Sequence, residues 1–236
     1  MVLGKFQSSL ASFGVLLEPL LEVLCVFHFL SLFILGNLVA VPLIFILLPT
    51  SLSFLIIVYF LWMFYDLKTP RETSRGWQFL RRLFIWRFLA SYFPIKLHKT
   101  CELDPKENYM FGYHPHGIFA LSAFVNFASD ATDCSKKFPG ITFHTLTLDL
   151  NFRMPVFREY VLLMGLGSVH KDSINYKLTK MGEGHSVVIV TGGAAEAHIA
   201  DPNNPYVLKL KNRNGFVREA LRAGYVLFCY NFLFIY

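Results

Sequence analysis

The chain has 236 residues, 54% of them apolar, 17% aromatic and only 16% charged, with a formal net charge of +6. An ordinary soluble domain carries roughly 25% charged residues, so this composition is far from that of a soluble protein. Four cysteines without CxxC spacing exclude a disulfide framework or a cysteine-built zinc module, and Cys25, Cys101, Cys134 and Cys229 are read as free thiols.

Residues 1–22 form an N-terminal segment ending in Glu18 and Glu22. The next 43 positions, Val23 to Tyr65, contain no Asp, Glu, Lys or Arg. One membrane span needs about 20 residues, so this run predicts a transmembrane helical hairpin over 23–65, turning at Pro42 or Pro49. The run is too long, and starts too late, for a cleaved signal peptide.

Between 66 and 100 stand Lys68, Arg71, Arg75, Arg81, Arg82, Arg87, Lys96 and Lys99, opposed only by Asp66 and Glu72. The positive-inside rule places this stretch on the cytoplasmic face. Its interleaved Trp77, Phe79, Phe84, Trp86 and Phe88 suit an interfacial helix on anionic headgroups. The competing reading is a helix packed on its own domain with its basic face in solvent. A nucleic-acid partner is not expected directly behind a membrane hairpin.

From 101 to 224 the pattern alternates between strand and helix, as in α/β proteins. Strands are predicted over 109–113, 141–146, 167–169 and 186–190, and helices over 118–128, 155–164, 173–181 and 215–223. Two strand ends carry chemistry. After the first comes Tyr113-His114-Pro115-His116-Gly117, where a helix starting at Ile118 would offer unpaired N–H groups and its dipole to developing negative charge. After the continuous β-branched run Ser186–Val190 comes Thr191-Gly192-Gly193-Ala194-Ala195-Glu196, a turn that lets backbone approach a ligand closely and adds a carboxylate. Functional groups at the carboxyl ends of strands are the expected arrangement in an open α/β sheet. A base beside an anion-stabilising corner equips a site for acyl transfer or hydrolysis.

With both corners in view, the sequence resembles the diacylglycerol acyltransferase type 2 family, which includes monoacylglycerol and wax-alcohol acyltransferases. The resemblance is carried by Tyr65-Asp66-x-x-Thr69-Pro70, Tyr92-Phe93-Pro94, His114-Pro115-His116-Gly117, Lys137-Phe138-Pro139-Gly140, Asn151-Phe152-Arg153-Met154-Pro155, Arg158-Glu159-Tyr160, Gly192-Gly193-Ala194-Ala195-Glu196 and Asn212-Arg213-x-Gly215-Phe216. Phe29, Leu30 and Leu32, within Phe29 to Gly36, are similar to the family's neutral-lipid motif.

The resemblance implies a glycerolipid-acyltransferase-type α/β domain behind the hairpin. It also implies a multi-pass endoplasmic-reticulum enzyme with its catalytic domain in the cytoplasm. The implied reaction moves a fatty acyl group from acyl-CoA, a co-substrate rather than a cofactor, to an acylglycerol or fatty alcohol, with diacylglycerol favoured. No cofactor or metal is implied; a zinc site at His114, His116 and Cys134 or His144 lacks a firm third ligand at metal-site spacing. In this reading one imidazole of the pair is the base, His114 favoured with His116 as helper or structural partner and the reverse left open, and N–H groups near His116 and Gly117 hold the oxyanion. Glu196 is the catalytic or substrate-positioning carboxylate, with Gly192 and Gly193 at the substrate. Arg153, Lys171 and Arg213 are candidates for the phosphates of CoA.

No Asp stands five residues after His114 or His116 to orient an imidazole; those positions are Phe119 and Leu121. Residues 225–236 depart from the family's pattern and are expected to be a divergent apolar tail on a domain truncated at its C-terminus. The alternative function is therefore an inactive family member, a membrane-bound fragment or partner of a full-length relative. A homo-oligomer also stays open.

Overall fold

The computed structural model describes residues 2–73, 75–117, 119–199 and 208–231, without the side chains of 2–16, 33–37, 223 and 228–231. Ile118, the expected first residue of a helix, and the end of the apolar tail at 232–236 lie outside the described residues, as does the Cys229 side chain. The chain opens with α1 (Val2–Leu47), turns through 48–52 and continues in α2 (Ser53–Tyr65). Pro42 lies inside α1; the turn falls at Pro49, where Thr50 Oγ1 donates to Leu47 O (2.7 Å).

The expected transmembrane hairpin over 23–65 is corrected here. Among the described residues, no helix is long and apolar enough to cross a membrane. The 13 residues of α2 reach about 20 Å, short of the roughly 30 Å hydrocarbon core. Part of the charge-free run is also used for internal packing. Cys25 and Phe29 are buried in a cluster with Trp86, Leu89, Phe124 and Met164, and the Phe29 and Phe124 rings stand 5.1 Å apart. A stretch without charge reads as lipid-facing even where its partner is the protein's own domain.

The basic stretch folds as α3 (Thr69–Glu72), α4 (Gln78–Arg81) and α5 (Ile85–Tyr92). α5 buries Trp86, Leu89 and Ala90 in a spacing that keeps one helical face inward. The cations turn largely toward the domain. Arg81 donates to the carbonyls of Ala128 (2.7 Å) and Phe127 (3.0 Å), and Arg71, Arg82 and Arg87 pair with Asp149, Asp130 and Asp133. Asp66 takes Arg75 and the fully buried Arg158, while Arg75 also reaches Glu159 at 3.0 Å. The Asp66 and Arg158-Glu159 motifs are thus the two halves of one ionic latch. Breaking such a buried pair typically costs about 3–5 kcal/mol.

The sheet begins with β1 (Tyr109–His114). A short α6 (Leu121–Ala123) then continues as a π-helical turn over Phe124–Ala128, and α7 (Cys134–Lys137) leads to β2 (Thr142–Thr147). After α8 (Phe157–Leu163) come β3 (Gly167–Ser168), α9 (Lys171–Thr179), β4 (His185–Val190), α10 (Gly193–Ala197), α11 (Gly215–Ala223) and β5 (Val226–Asn231). All described pairings are parallel, in the order β3-β2-β4-β1-β5. Side chains alternate across a strand. Tyr109, Phe111, Tyr113 and Val188 therefore join Phe127, Phe138 and Phe143 on one face. Met110, Val187 and Ile189 join Ile174, Leu178 and Ala220 on the other. Cys25, Cys101 and Cys134 are free thiols.

Candidate active site

Parallel pairing sets Tyr113 of β1 opposite Val190 of β4. One step further, His114 and Thr191 leave neighbouring strands on the same face. The His114 imidazole is buried (3% exposed), and Thr191 Oγ1 lies 2.6 Å from its Nε2 and 3.1 Å from its Nδ1. Burial lowers the His114 pKa, opposed in part by the Glu196 charge, so the ring is held toward its neutral form. In the sequence Thr191 is simply the first residue of the glycine turn, with no motif of its own. Its signal is the register itself, because the residues following two paired positions face each other.

Glu196, on α10, is 2% exposed. It binds the histidine loop through backbone rather than through an imidazole. The His116 N–H donates to its Oε1 (2.5 Å) and the Lys209 N–H to its Oε2 (3.0 Å). The two strand-end corners are therefore one site, joined by a buried carboxylate. The His116 N–H is consequently committed and does not serve an oxyanion. The helix expected from Ile118 begins only at Leu121. Between them the Ala120 N–H donates to His116 O (3.0 Å), so His116 sits in a turn rather than at a helix start.

The His116 ring makes its own local bond: Nδ1 is 2.7 Å from Gly117 O. A carbonyl only accepts, so Nδ1 carries the hydrogen, and in the neutral ring Nε2 keeps its lone pair. His116 and Gly117 line an apolar cavity of about 450 Å³ together with Phe29, Leu30, Phe93 and Phe119. Phe29 and Leu30 of α1 are thus brought to the histidine loop from more than eighty positions away. Leu32 is half-buried and lies off that wall.

Gly117 has φ +58 with open space around a would-be Cβ, a backbone that favours glycine. At Gly192 the constraint is contact, since a Cβ there would fall on the Glu196 carboxylate. Arg213 donates to Gly192 O (3.4 Å) and lies beside Gly193. It closes a groove of about 360 Å³ with the exposed Lys209 and Lys211. Arg153 is exposed in the turn after the 3-10 helix Asp149–Phe152 and is not among the residues lining that groove. Lys171 lines a separate groove with Glu219 and Arg222.

Among the described residues no cluster of three or more His, Cys, Asp or Glu is arranged to hold a metal. Of the residues considered for zinc, His144 faces His185 with ring nitrogens 3.0 Å apart. Cys134 packs in the aromatic core, its thiol pushed up to about 12 by burial.

The model of the family described as "Diacylglycerol acyltransferase" matches residues 45–233. The chain belongs to the diacylglycerol acyltransferase family. It is 49% identical over 168 residues to "Diacylglycerol O-acyltransferase 2" of Mus musculus, covering 71% of this chain and 43% of that protein. To the Homo sapiens protein of the same name it is 42% identical over 207 residues, covering 88% and 53%. To "Acyl-CoA wax alcohol acyltransferase 1" of Mus musculus it is 46% identical over 183 residues, covering 78% and 55%. The chain spans about half the length of the curated relatives it matches. No solved structure matches it.

Proposed function

We propose that the chain transfers a fatty acyl group from acyl-CoA to the hydroxyl of an acylglycerol, with diacylglycerol as acceptor and triacylglycerol as product. The observation that carries this reading is one juxtaposition. An imidazole with an available Nε2, on His116, stands on the wall of a 450 Å³ cavity whose lining is otherwise apolar except for Ser122. Such a cavity takes hydrocarbon, and the imidazole is the group on its wall basic enough to take a proton near neutral pH.

In the proposed step, His116 Nε2 accepts the proton of the acceptor hydroxyl as its oxygen attacks the thioester carbonyl. The C–O bond forms, the C–S bond breaks, and the proton passes from the imidazolium to the departing thiolate, giving CoA as the thiol. Access favours His116 over His114 as the base, because His114 lies buried beneath the Thr191 hydroxyl. His114 and Glu196 act as positioning residues, Glu196 by fixing the backbone of His116. Lys209, Lys211 and Arg213 form a cationic groove suited to the phosphates of CoA. The setting that goes with such substrates is the cytoplasmic surface of the endoplasmic reticulum. There, exposed apolar side chains of α2 such as Phe54, Phe60, Trp62 and Phe64 supply contact with membrane lipid.

Expression of the chain in cells lacking neutral-lipid acyltransferases, fed labelled oleate, tests the reading. Labelled triacylglycerol is the expected product. Wax ester alone would overturn the acceptor, and no labelled neutral lipid at normal protein abundance would overturn the reaction.

A further inference from the structure

Phe119 walls two spaces. On one side is the cavity at His116; on the other is a slot of about 70 Å³ set between the ends of β2 and β4 and the helix α8. The slot is small. A water molecule in the liquid occupies roughly 30 Å³, so there is room for one compact group and none for an alkyl chain.

Its walls also differ in chemistry. Thr145, itself 5% exposed, and Tyr160 both line the slot, and both carry buried hydroxyls that meet no hydrogen-bonding partner among the described residues. Such orphans are rare in folded proteins. Their polar neighbours on the same wall are satisfied, Asn151 Nδ2 donating to Thr147 Oγ1 at 2.7 Å. Burial raises the Tyr160 phenol pKa, so this hydroxyl stays protonated and able to donate.

We infer that the slot behind Phe119 receives an ester carbonyl of the acylglycerol acceptor, with the Thr145 and Tyr160 hydroxyls as donors to its oxygen. This assignment rests on the acyl-transfer reading and adds to it the residues that recognise the acceptor class. Val190, on the slot wall, directly precedes Thr191, so the slot and the His114 corner share the carboxyl edge of the sheet. In a diacylglycerol the nearest ester carbonyl lies a few bonds from the free hydroxyl. A molecule presenting that hydroxyl to His116 carries a carbonyl toward Phe119, and displacement of the Phe119 ring joins the two spaces. A long-chain alcohol has no such oxygen and leaves both hydroxyls orphaned.

The test is equilibrium binding of radiolabelled diolein and of oleyl alcohol to the full chain, Thr145→Val and Tyr160→Phe in the same detergent. Thr145→Val exchanges the hydroxyl for a methyl group of similar size, and Tyr160→Phe removes the hydroxyl and leaves the ring. The ratio of the two dissociation constants, diolein over alcohol, is expected to rise about three- to ten-fold per hydroxyl removed. Because it is a ratio within one preparation, it does not depend on how much protein is folded. A ratio unchanged in both variants, or equal weakening toward both lipids, overturns the assignment. Acyl transfer from oleoyl-CoA is followed on the same samples. A chain whose diolein binding depends on these hydroxyls but which transfers nothing keeps the subsite and overturns the reaction instead.

Discussion

His114 and His116 leave the carboxyl end of β1 two residues apart, one under the Thr191 hydroxyl and the other on the wall of an apolar cavity. His144 and His185 face each other on β2 and β4, stacked with ring centroids 5.3 Å apart and ring nitrogens at 3.0 Å. The two pairs share a sheet and a residue type. They differ in what surrounds them. The first pair has a cavity, a glycine turn and the buried Glu196 carboxylate beside it. The second has strand neighbours, and around His144 the positive charges of Lys177 and Arg81. An imidazole becomes a candidate for chemistry through access and an anion behind it, and a structural element when both are missing.

Apart from the loss of an imidazole itself, breaking this contrast has a large expected effect at Gly192. Gly192→Ala drives a methyl group into the Glu196 carboxylate and loosens the bond that fixes His116. A hydrogen bond to a charged group is worth about 1.5–3 kcal/mol, so acyl transfer should fall at least about ten-fold in a microsomal assay, with a lower melting temperature. Activity equal to that of the parent chain would show that Glu196 does not hold the site.

Thr191→Val comes next. It leaves the buried His114 imidazole without its hydroxyl partner and should cost about 1–3 kcal/mol of stability, read as a lower denaturant midpoint.

The effect of the second pair appears only when the pH is changed. Burial, followed by the charges of Lys177, His185 and Arg81, pulls His144 down to about 3, against about 6.5 in an unfolded chain. Between those values the unfolded state binds a proton that the native state refuses. Stability is therefore full above pH 6.5 and is lost as pH falls, at up to about 1.4 kcal/mol per unit. His114, lowered mainly by burial, adds to the same trend. Denaturation midpoints at pH 7.5 and 5.0 measure the slope, and His144→Phe should flatten it.

Much of this arrangement is legible in the sequence because local pattern and tertiary role agree. Ser186-Val-Val-Ile-Val190 reads as a buried strand and pairs on both sides as β4. Asn214-Gly215 and Ala223-Gly224 frame a helix that α11 occupies from Gly215 to Ala223. The parts that do not read out depend on which distant elements meet. Nothing local says that Phe29 packs on Phe124 rather than facing lipid, or that Asp66 belongs to Arg158. For the same reason the basic stretch of 66–100 resembles a headgroup-binding helix although Arg71, Arg81, Arg82 and Arg87 find partners within the domain. The sequence favours His114 as the base, whereas the burial of His114 and the cavity beside His116 favour the reverse assignment. No local signal in the sequence shows which of the two reaches a cavity.

The most direct measurement compares His116→Ala with His144→Ala at equal protein abundance and pH 7.5, following labelled oleoyl transfer from oleoyl-CoA to diolein. Loss of a positioned general base typically costs about 10²–10⁴-fold. The account predicts a fall of that size for His116→Ala and a change within a few-fold for His144→Ala. Comparable rates in the two variants, or the larger loss at His144, would contradict it.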